Sequence, residues 1–185
     1  NAFYLQTILN LSPLQAGFVF LPSSVGFIVA ASLSSVTAAR LGRKSVLVAA
    51  VIGTLGQFLL LLSAQFFVPF WGIAPLLVAL FVFGLGMGLL VTQLLNKTLE
   101  EVTHDEIGTA SGLYTTASQL AGALGVTLIG LLFSAFTTLT GDALQAFIIA
   151  LFVMTLLSIG PVFTTTLLSR YPTVTSTELI LPYKD

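Results

Sequence analysis

The sequence predicts an all-α fold, a polytopic transmembrane bundle in which five helices are visible. Charged residues make up 7% of the 185 residues, whereas roughly a quarter of a soluble domain is charged. Asp, Glu, Lys and Arg are absent from residues 1–39, 45–96, 107–141 and 143–169. A helix needs about 20 predominantly apolar residues to cross a hydrocarbon core about 30 Å thick, so each uncharged stretch can hold at least one crossing.

The first helix is predicted over about residues 13–39. Ser12, Pro13 and Gln15 have the order of a helix start, with an N-cap hydroxyl, a proline in the first turn and an amide that can reach back to the cap. Pro22 removes a backbone donor inside this segment and should kink it. Residues 1–11 look like the end of a preceding helix with an outer loop, so we expect the chain to be a fragment.

The second uncharged stretch, 45–96, is about twice as long as one crossing requires. Pro69, Gly72 and Pro75 interrupt it, beside Phe70 and Trp71, and aromatic residues of this type settle at the headgroup level. This stretch therefore predicts two helices, at about 45–64 and 73–96.

The last two helices are predicted at about 106–136 and 143–168. Thr103 with Glu106 matches a capping box, and Asp142 with Gln145 resembles one. Pro161 lies inside the final helix and should kink it. The five-helix bundle thus covers residues 12–169, and residues 170–185 form a tail.

The distribution of basic residues predicts the topology. All the basic residues lie in three segments outside the predicted helices: the turn after the first helix, the segment after the third helix and the C-terminal tail. The turns after the second and fourth helices hold none. Because Lys and Arg accumulate on the cytoplasmic side, we expect an integral protein of the cell (inner) membrane with a cytoplasmic tail and C-terminus. The basic residues are Arg40, Arg43 and Lys44, then Lys97, then Arg170 and Lys184.

Two helices carry small residues at helical spacing. Gly84 and Gly88 form a G-x-x-x-G pair in the third helix, and Gly122 and Gly125 lie on a stripe of the fourth. In lipid, small residues hold helices together by letting their backbones approach closely. We therefore predict that these four glycines pack helices and that the fourth helix lies inside the bundle.

The stripe on the fourth helix also contains the candidate substrate-binding residues. Ser111, Thr115 and Ser118 share this stripe, and Gln119 lies beside it near the predicted middle of the membrane. Gln119 is the strongest hydrogen-bonding group on the helix. Two interpretations stay open, because these hydroxyls can bond the carbonyls of their own helix and Gln119 can bond a neighbouring helix instead of a substrate.

Composition excludes several classes of function. The chain has no Cys and one His, His104, so it offers neither a metal cluster nor a catalytic triad. It also lacks a glycine-rich phosphate-binding loop and the kind of Lys/Arg cluster that binds nucleic acid. We expect no enzyme activity, metal, cofactor or nucleic-acid partner. No Asp, Glu, His, Lys or Arg lies within a predicted helix body, so proton carriers would have to lie elsewhere.

Residues 35–47 resemble the signature of the major facilitator superfamily, G-x-L-A-D-R-x-G-R-K-x-x-L. Ser35, Thr37 and Ala39 replace the Gly, Leu and Asp of that pattern. The resemblance implies that this basic turn, and above all Arg40, Gly42, Arg43 and Lys44, gates access; the alternative is that the turn only sets topology. The matching residues are Ala38, Arg40, Gly42, Arg43, Lys44 and Leu47.

Residues 108–125 resemble the penultimate helix of fourteen-helix drug:proton antiporters of that superfamily, G-x-A-S-G-L-x-N-T-x-R-Q-L-G-G-x-L-G. Thr115, Ser118 and Ala121 stand where Asn, Arg and Gly are usual. Residues 3–6 and 12–17 also resemble the ninth and tenth helices of that branch. The resemblance covers nearly the whole chain before residue 170.

The resemblance implies the C-terminal half of a major facilitator fold and a secondary active transporter. It would export drugs or other small amphipathic molecules by alternating access, coupled to protons through a missing N-terminal half. Two alternatives remain: an exporter of one metabolite or siderophore, and a membrane scaffold or receptor of transporter descent that does not transport. Substrate identity, coupling stoichiometry and oligomeric state are not set by the sequence.

Overall fold

The protein forms a bundle of apolar helices in the computed structural model, which describes residues 12–42, 44–67, 72–100, 102–103 and 105–168. Five segments are long and apolar enough to cross a membrane, which confirms the predicted all-α fold class. A π-helical turn at Ser63–Phe67 continues the helix Lys44–Leu62. The helices are α1 (Pro13–Val19), α2 (Leu21–Leu41), α3 (Lys44–Leu62), α4 (Ala74–Glu100), α5 (Ile107–Thr140) and α6 (Ala143–Leu168).

The first crossing consists of two helices, α1 and α2, that are separated at Phe20. The predicted capping box at its start is present, because the Gln15 amide donates to the Ser12 hydroxyl at 3.2 Å and the Ser12 amide donates to the Gln15 side chain at 2.9 Å. Pro22 falls in the first turn of α2, where a missing backbone donor costs little. The expected kink is therefore a break just before the proline.

The two later helix starts differ from a capping box. The N-cap of α5 is Glu106, without a side-chain cap, and the Thr103 hydroxyl donates to the Glu106 carboxylate at 2.9 Å instead. At α6 the Asp142 carboxylate accepts from the Leu144 amide at 2.8 Å. The Asp142 amide donates to Thr140, so it is already bonded and Gln145 does not complete a reciprocal pair there. The prediction for Thr103 and Glu106 was wrong, because the helix begins one turn later than the box requires.

Helices α2, α3 and α4 pack tightly, and α6 lies against α3. A Cβ atom on Gly84 would clash with Ser23 of α2, and one on Gly88 would clash with Phe27. On another face of α4, a Cβ atom on Gly86 would clash with the Gly53 backbone of α3. The main core lies near the end of the bundle that contains α1; its buried residues are Ala16, Val19, Leu60, Leu61, Ala64, Leu76, Ala79, Leu80, Phe147 and Leu151.

The fourth crossing, α5, lies at the surface of the described bundle. It contacts α6 and one end of α4, where the Tyr114 hydroxyl is 3.5 Å from the Val91 carbonyl. Half-buried positions recur at helical spacing near its two ends, but residues 115–128 are all exposed. The expectation that this helix lies inside the bundle is wrong for the described residues, because no other described helix covers its middle.

The final crossing, α6, continues as one helix through Pro161. One turn before the proline, the Ser158 carbonyl accepts a hydrogen bond of 2.8 Å from the Thr54 hydroxyl of α3. This bond connects α3 to α6 close to Pro161, which has no backbone N–H to donate to the preceding turn of α6. Part of the predicted break between α3 and α4, including Pro69, Phe70 and Trp71, lies outside the described residues.

Candidate functional site on helix α5 and the basic turn

The four candidate binding residues lie on one side of α5 because they follow its helical repeat. Ser111, Thr115 and Ser118 are separated by four and three residues, which places them on one stripe, and Gln119 lies beside it. Ser111 is half-buried near the start of the helix, and the other three are exposed. The structure thus brings the four side chains together on an open helix face of the described bundle.

Their hydrogen bonds divide these residues into two kinds. The Thr115 hydroxyl donates to the Ser111 carbonyl of its own helix at 2.8 Å, so its proton is engaged and it can only accept from a ligand. Within the described residues, the side chains of Ser111, Ser118 and Gln119 form no hydrogen bond. Of the two interpretations, bonding within the helix therefore applies to Thr115.

The chemistry of this face suits a mostly apolar ligand with a few polar groups. Gln119 offers two N–H donors and a carbonyl acceptor, and the serine hydroxyls can donate and accept. Val126 lies two turns after Gln119 on the same face and is 76% exposed. Since α5 carries no charged side chain between Ile107 and Thr140, recognition here would use hydrogen bonds and apolar contact rather than ion pairs.

The four predicted packing glycines have very different surroundings. Gly84 and Gly88 of α4 lie directly against the α2 backbone. Around Gly122 and Gly125 of α5, a Cβ atom would have no described neighbour within 4 Å. A packing role for Gly122 and Gly125 therefore stays a prediction, and it concerns surfaces outside the described residues.

The basic turn is short and closely bonded. Gly42 has φ +52° and ψ −126°, a conformation that requires glycine, and its amide donates to the Ala38 carbonyl at 2.8 Å. The Ser45 hydroxyl donates to the Gly42 carbonyl at 2.7 Å. Arg40 and Lys44, on either side, are both exposed. Arg43 lies outside the described residues, as does His104.

Sequence reasoning missed several polar side chains inside the bundle. Ser34, Gln57 and Gln93 are buried, and each has a side-chain atom without a hydrogen-bond partner in the described structure. Gln93 could have been found, because it lies four residues after Leu89, on a helix whose glycines already indicated close packing. Ser34 carries no comparable signal.

The described residues contain no group of three or more His, Cys, Asp or Glu side chains that could hold a metal ion. On the open face of α5 the polar groups are hydroxyls and an amide, which can bind a ligand through hydrogen bonds.

Comparison with known proteins places this helical bundle in a family. The family model of the Major Facilitator Superfamily matches residues 1–178. The chain belongs to the major facilitator superfamily. This agrees with the resemblance of residues 35–47 and 108–125, and it makes the protein an integral membrane protein of a transporter family.

Similar proteins include transporters and resistance proteins of bacteria. The chain is 35% identical over 136 residues to a probable actinorhodin transporter of Streptomyces coelicolor, covering 71% of the chain and 23% of that relative. It is 32% identical over 130 residues to the puromycin resistance protein pur8 of Streptomyces alboniger, covering 69% and 25%. It is 29% identical over 140 residues to the quinolone resistance protein NorB of Staphylococcus aureus, covering 74% and 29%.

These relatives confirm the predicted resemblance to the drug-efflux branch of the superfamily. The chain spans about a quarter of the length of the relatives it matches.

Proposed function

We propose that this chain forms the C-terminal portion of a secondary active transporter that exports drugs or other small amphipathic molecules by alternating access. The observation that carries the proposal is the exposed middle of α5, where Ser118 and Gln119 have unengaged polar groups on the same face as the exposed Val126. A wholly lipid-facing helix would have no use for an unpaired carboxamide, because an intramembrane polar group is costly without a partner. The names of the relatives support a drug or antibiotic as the ligand.

A second candidate is an exporter of one metabolite. It is favoured by the relative with 35% identity, which is named a probable actinorhodin transporter rather than a resistance protein. The two candidates differ in breadth of substrate, so a panel of chemically unrelated drugs separates them.

The test uses the full-length protein in cells whose own drug pumps have been deleted. Gln119→Ala should change the relative resistance to several drugs, because it removes the strongest hydrogen-bonding group of the face. Gln145→Ala is the matched control, since Gln145 is also exposed but lies at the start of α6. An unaltered resistance profile for Gln119→Ala would remove this face as the binding site.

Proton coupling forms a separate part of the proposal. The described helices contain no titratable side chain at mid-membrane, so the protons would be carried by residues of the other portion. Efflux from proteoliposomes should follow an imposed pH gradient and stop when a protonophore collapses it. Efflux that persists without the gradient would contradict proton coupling.

The orientation can be tested with single cysteines, since the chain has none. We propose that the basic turn and the α4–α5 segment are cytoplasmic. Thr138→Cys should then react with an impermeant thiol reagent added to intact cells, and Thr103→Cys should react only after permeabilisation. Both positions are exposed in the structure, and they lie at opposite ends of the α5 crossing. Labelling of Thr103→Cys in intact cells would reverse the topology.

A further inference from the structure

A buried polar layer crosses the three tightly packed helices near the basic turn. Ala30 of α2, Ala49 of α3 and Leu89 of α4 form one buried apolar cluster. Four residues further towards the basic turn, each helix carries a buried polar side chain: Ser34 on α2, Ser45 on α3 and Gln93 on α4. Because residues four apart lie on nearly the same helix face, the three polar side chains form the next layer, about 6 Å along the bundle.

The three side chains are almost fully enclosed. Ser34 and Ser45 are each 1% exposed, and Gln93 is 2% exposed. Ser45 donates its proton to the Gly42 carbonyl, so its oxygen can still accept. The Ser34 hydroxyl and both polar atoms of the Gln93 amide have no partner among the described residues.

Such a set is unusual because buried polar atoms are nearly always paired. It holds donors and acceptors together: the Gln93 nitrogen donates, its oxygen accepts, and the Ser34 hydroxyl does both. A water molecule matches this combination, because buried waters typically make about three hydrogen bonds to polar groups that otherwise lack partners. An ion matches it less well, since an amide nitrogen would face a cation and an amide oxygen would face an anion.

We propose that Ser34, Ser45 and Gln93 form a water-binding site inside the bundle, between α2, α3 and α4. The water links the two unpaired side chains to Ser45 and, through the Ser45 bond to Gly42, to the basic turn. The inference does not depend on the substrate or on the direction of transport. It makes the inner end of α4 part of the hydrogen-bonded network that holds the turn.

The first test is a double-mutant cycle on the full-length protein, with the melting temperature as the readout. If water bridges the pair, Ser34→Ala removes one of its partners and should lower the melting temperature by about 1–2 °C. In a Gln93→Met background, Ser34→Ala should lower the melting temperature less, because the Gln93 amide that the water would bridge to Ser34 is already removed. Ser32→Ala is the control, since Ser32 is exposed on the same helix and donates to its own Ile28 carbonyl.

The outcomes separate the proposal from its alternatives. If Ser34→Ala leaves the melting temperature unchanged or raises it, the hydroxyl is unpaired and the water site is refuted. Additive effects of Ser34→Ala and Gln93→Met would also refute it.

The second test is a high-resolution structure of the full-length protein. Density for a water molecule should lie within hydrogen-bonding distance of the Gln93 amide, and it should be absent for Gln93→Met. A direct bond between Gln93 and Ser34, without such density, would replace the water site by a simple side-chain pair.

Discussion

Helices α4 and α5 carry the same sequence signal and have opposite surroundings. Both contain glycines at helical spacing followed or flanked by hydroxyl and amide side chains. In α4, Gly84, Gly86 and Gly88 lie directly against neighbouring backbones. In α5, Gly122 and Gly125 have no described neighbour at all within 4 Å of a Cβ position.

The difference shows that small residues allow two helices to approach closely but do not determine which helices pack together. The α4 seam forms because its neighbours are small at matching positions. A Cβ atom on Gly26 of α2 would meet Phe81 of α4, and one on Gly56 of α3 would meet Phe83. Without a hydrophobic effect to drive association in lipid, such reciprocity between two helices decides where backbones approach. The stripe on α5 finds no such counterpart among the described helices.

The largest expected effect comes from filling the α4 seam. Gly86→Ala would place a methyl group against the Gly53 backbone, which cannot move as a flexible side chain can. We expect a loss of about 3 kcal/mol in the free energy of unfolding, typical of severe overpacking, and a low yield of folded protein.

Gly130→Ala in α5 is the matched control for this change. It meets nothing in the described structure and replaces a poor helix former with a good one, so stability should stay the same or rise. The two variants are compared by thermal unfolding of the full-length protein. Equal yields and melting temperatures for Gly86→Ala and Gly130→Ala would show that α3 and α4 do not approach this closely.

The next effect concerns the basic turn that joins α2 to α3. Gly42→Ala forces a side chain into a backbone region that only glycine occupies easily, at a cost of about 1–3 kcal/mol. Gly112→Ala in α5 has ordinary helical geometry and should be neutral. Reduced transport by Gly42→Ala would therefore be accompanied by reduced stability.

Arg40→Gln separates gating from this backbone strain, because Arg40 is exposed and its change leaves the turn geometry intact. If the turn gates access, Arg40→Gln should slow efflux while the melting temperature stays constant. Normal efflux by Arg40→Gln would leave the turn only its role in topology.

The smallest expected effect comes from removing a single side-chain hydrogen bond, compared between α3 and α5. Thr54→Val removes the bond between α3 and α6 and should lower the free energy of unfolding by about 0.6 kcal/mol, the average for intramembrane bonds between helices. Thr127→Val in α5 removes a hydroxyl that bonds only its own Ala123 carbonyl and should change stability less. A larger loss for Thr127→Val would mean that α5 is held in place by contacts outside the described residues.

Sequence patterns predicted the fold class well because the membrane imposes simple rules. The lack of charge marked the five crossings, and the Ser12–Gln15 capping box followed from the chemistry of a helix start. Gly84 and Gly88 lie at an interface, as their spacing suggested. These features are local, or depend on one helix meeting an apolar solvent.

Other features could not be predicted because they depend on which helices become neighbours. The exposure of α5 follows from the absence of a described helix over its middle, and no residue of α5 encodes that. The polar layer of Ser34, Ser45 and Gln93 requires knowledge of how three helices align. The binding role of Ser111, Thr115, Ser118 and Gln119 likewise stays a prediction, although the structure places these residues on one face.

The length of α5 has a mechanical consequence. Its 34 residues extend over about 51 Å at 1.5 Å per residue, whereas the hydrocarbon core is about 30 Å thick. The helix must therefore tilt or project beyond the core, and it contains neither a proline nor a break such as the one at Phe20. A rod of this kind turns as a unit, so a small rotation at its C-terminal end, near Thr137, would sweep Ser111 sideways at the opposite face of the membrane.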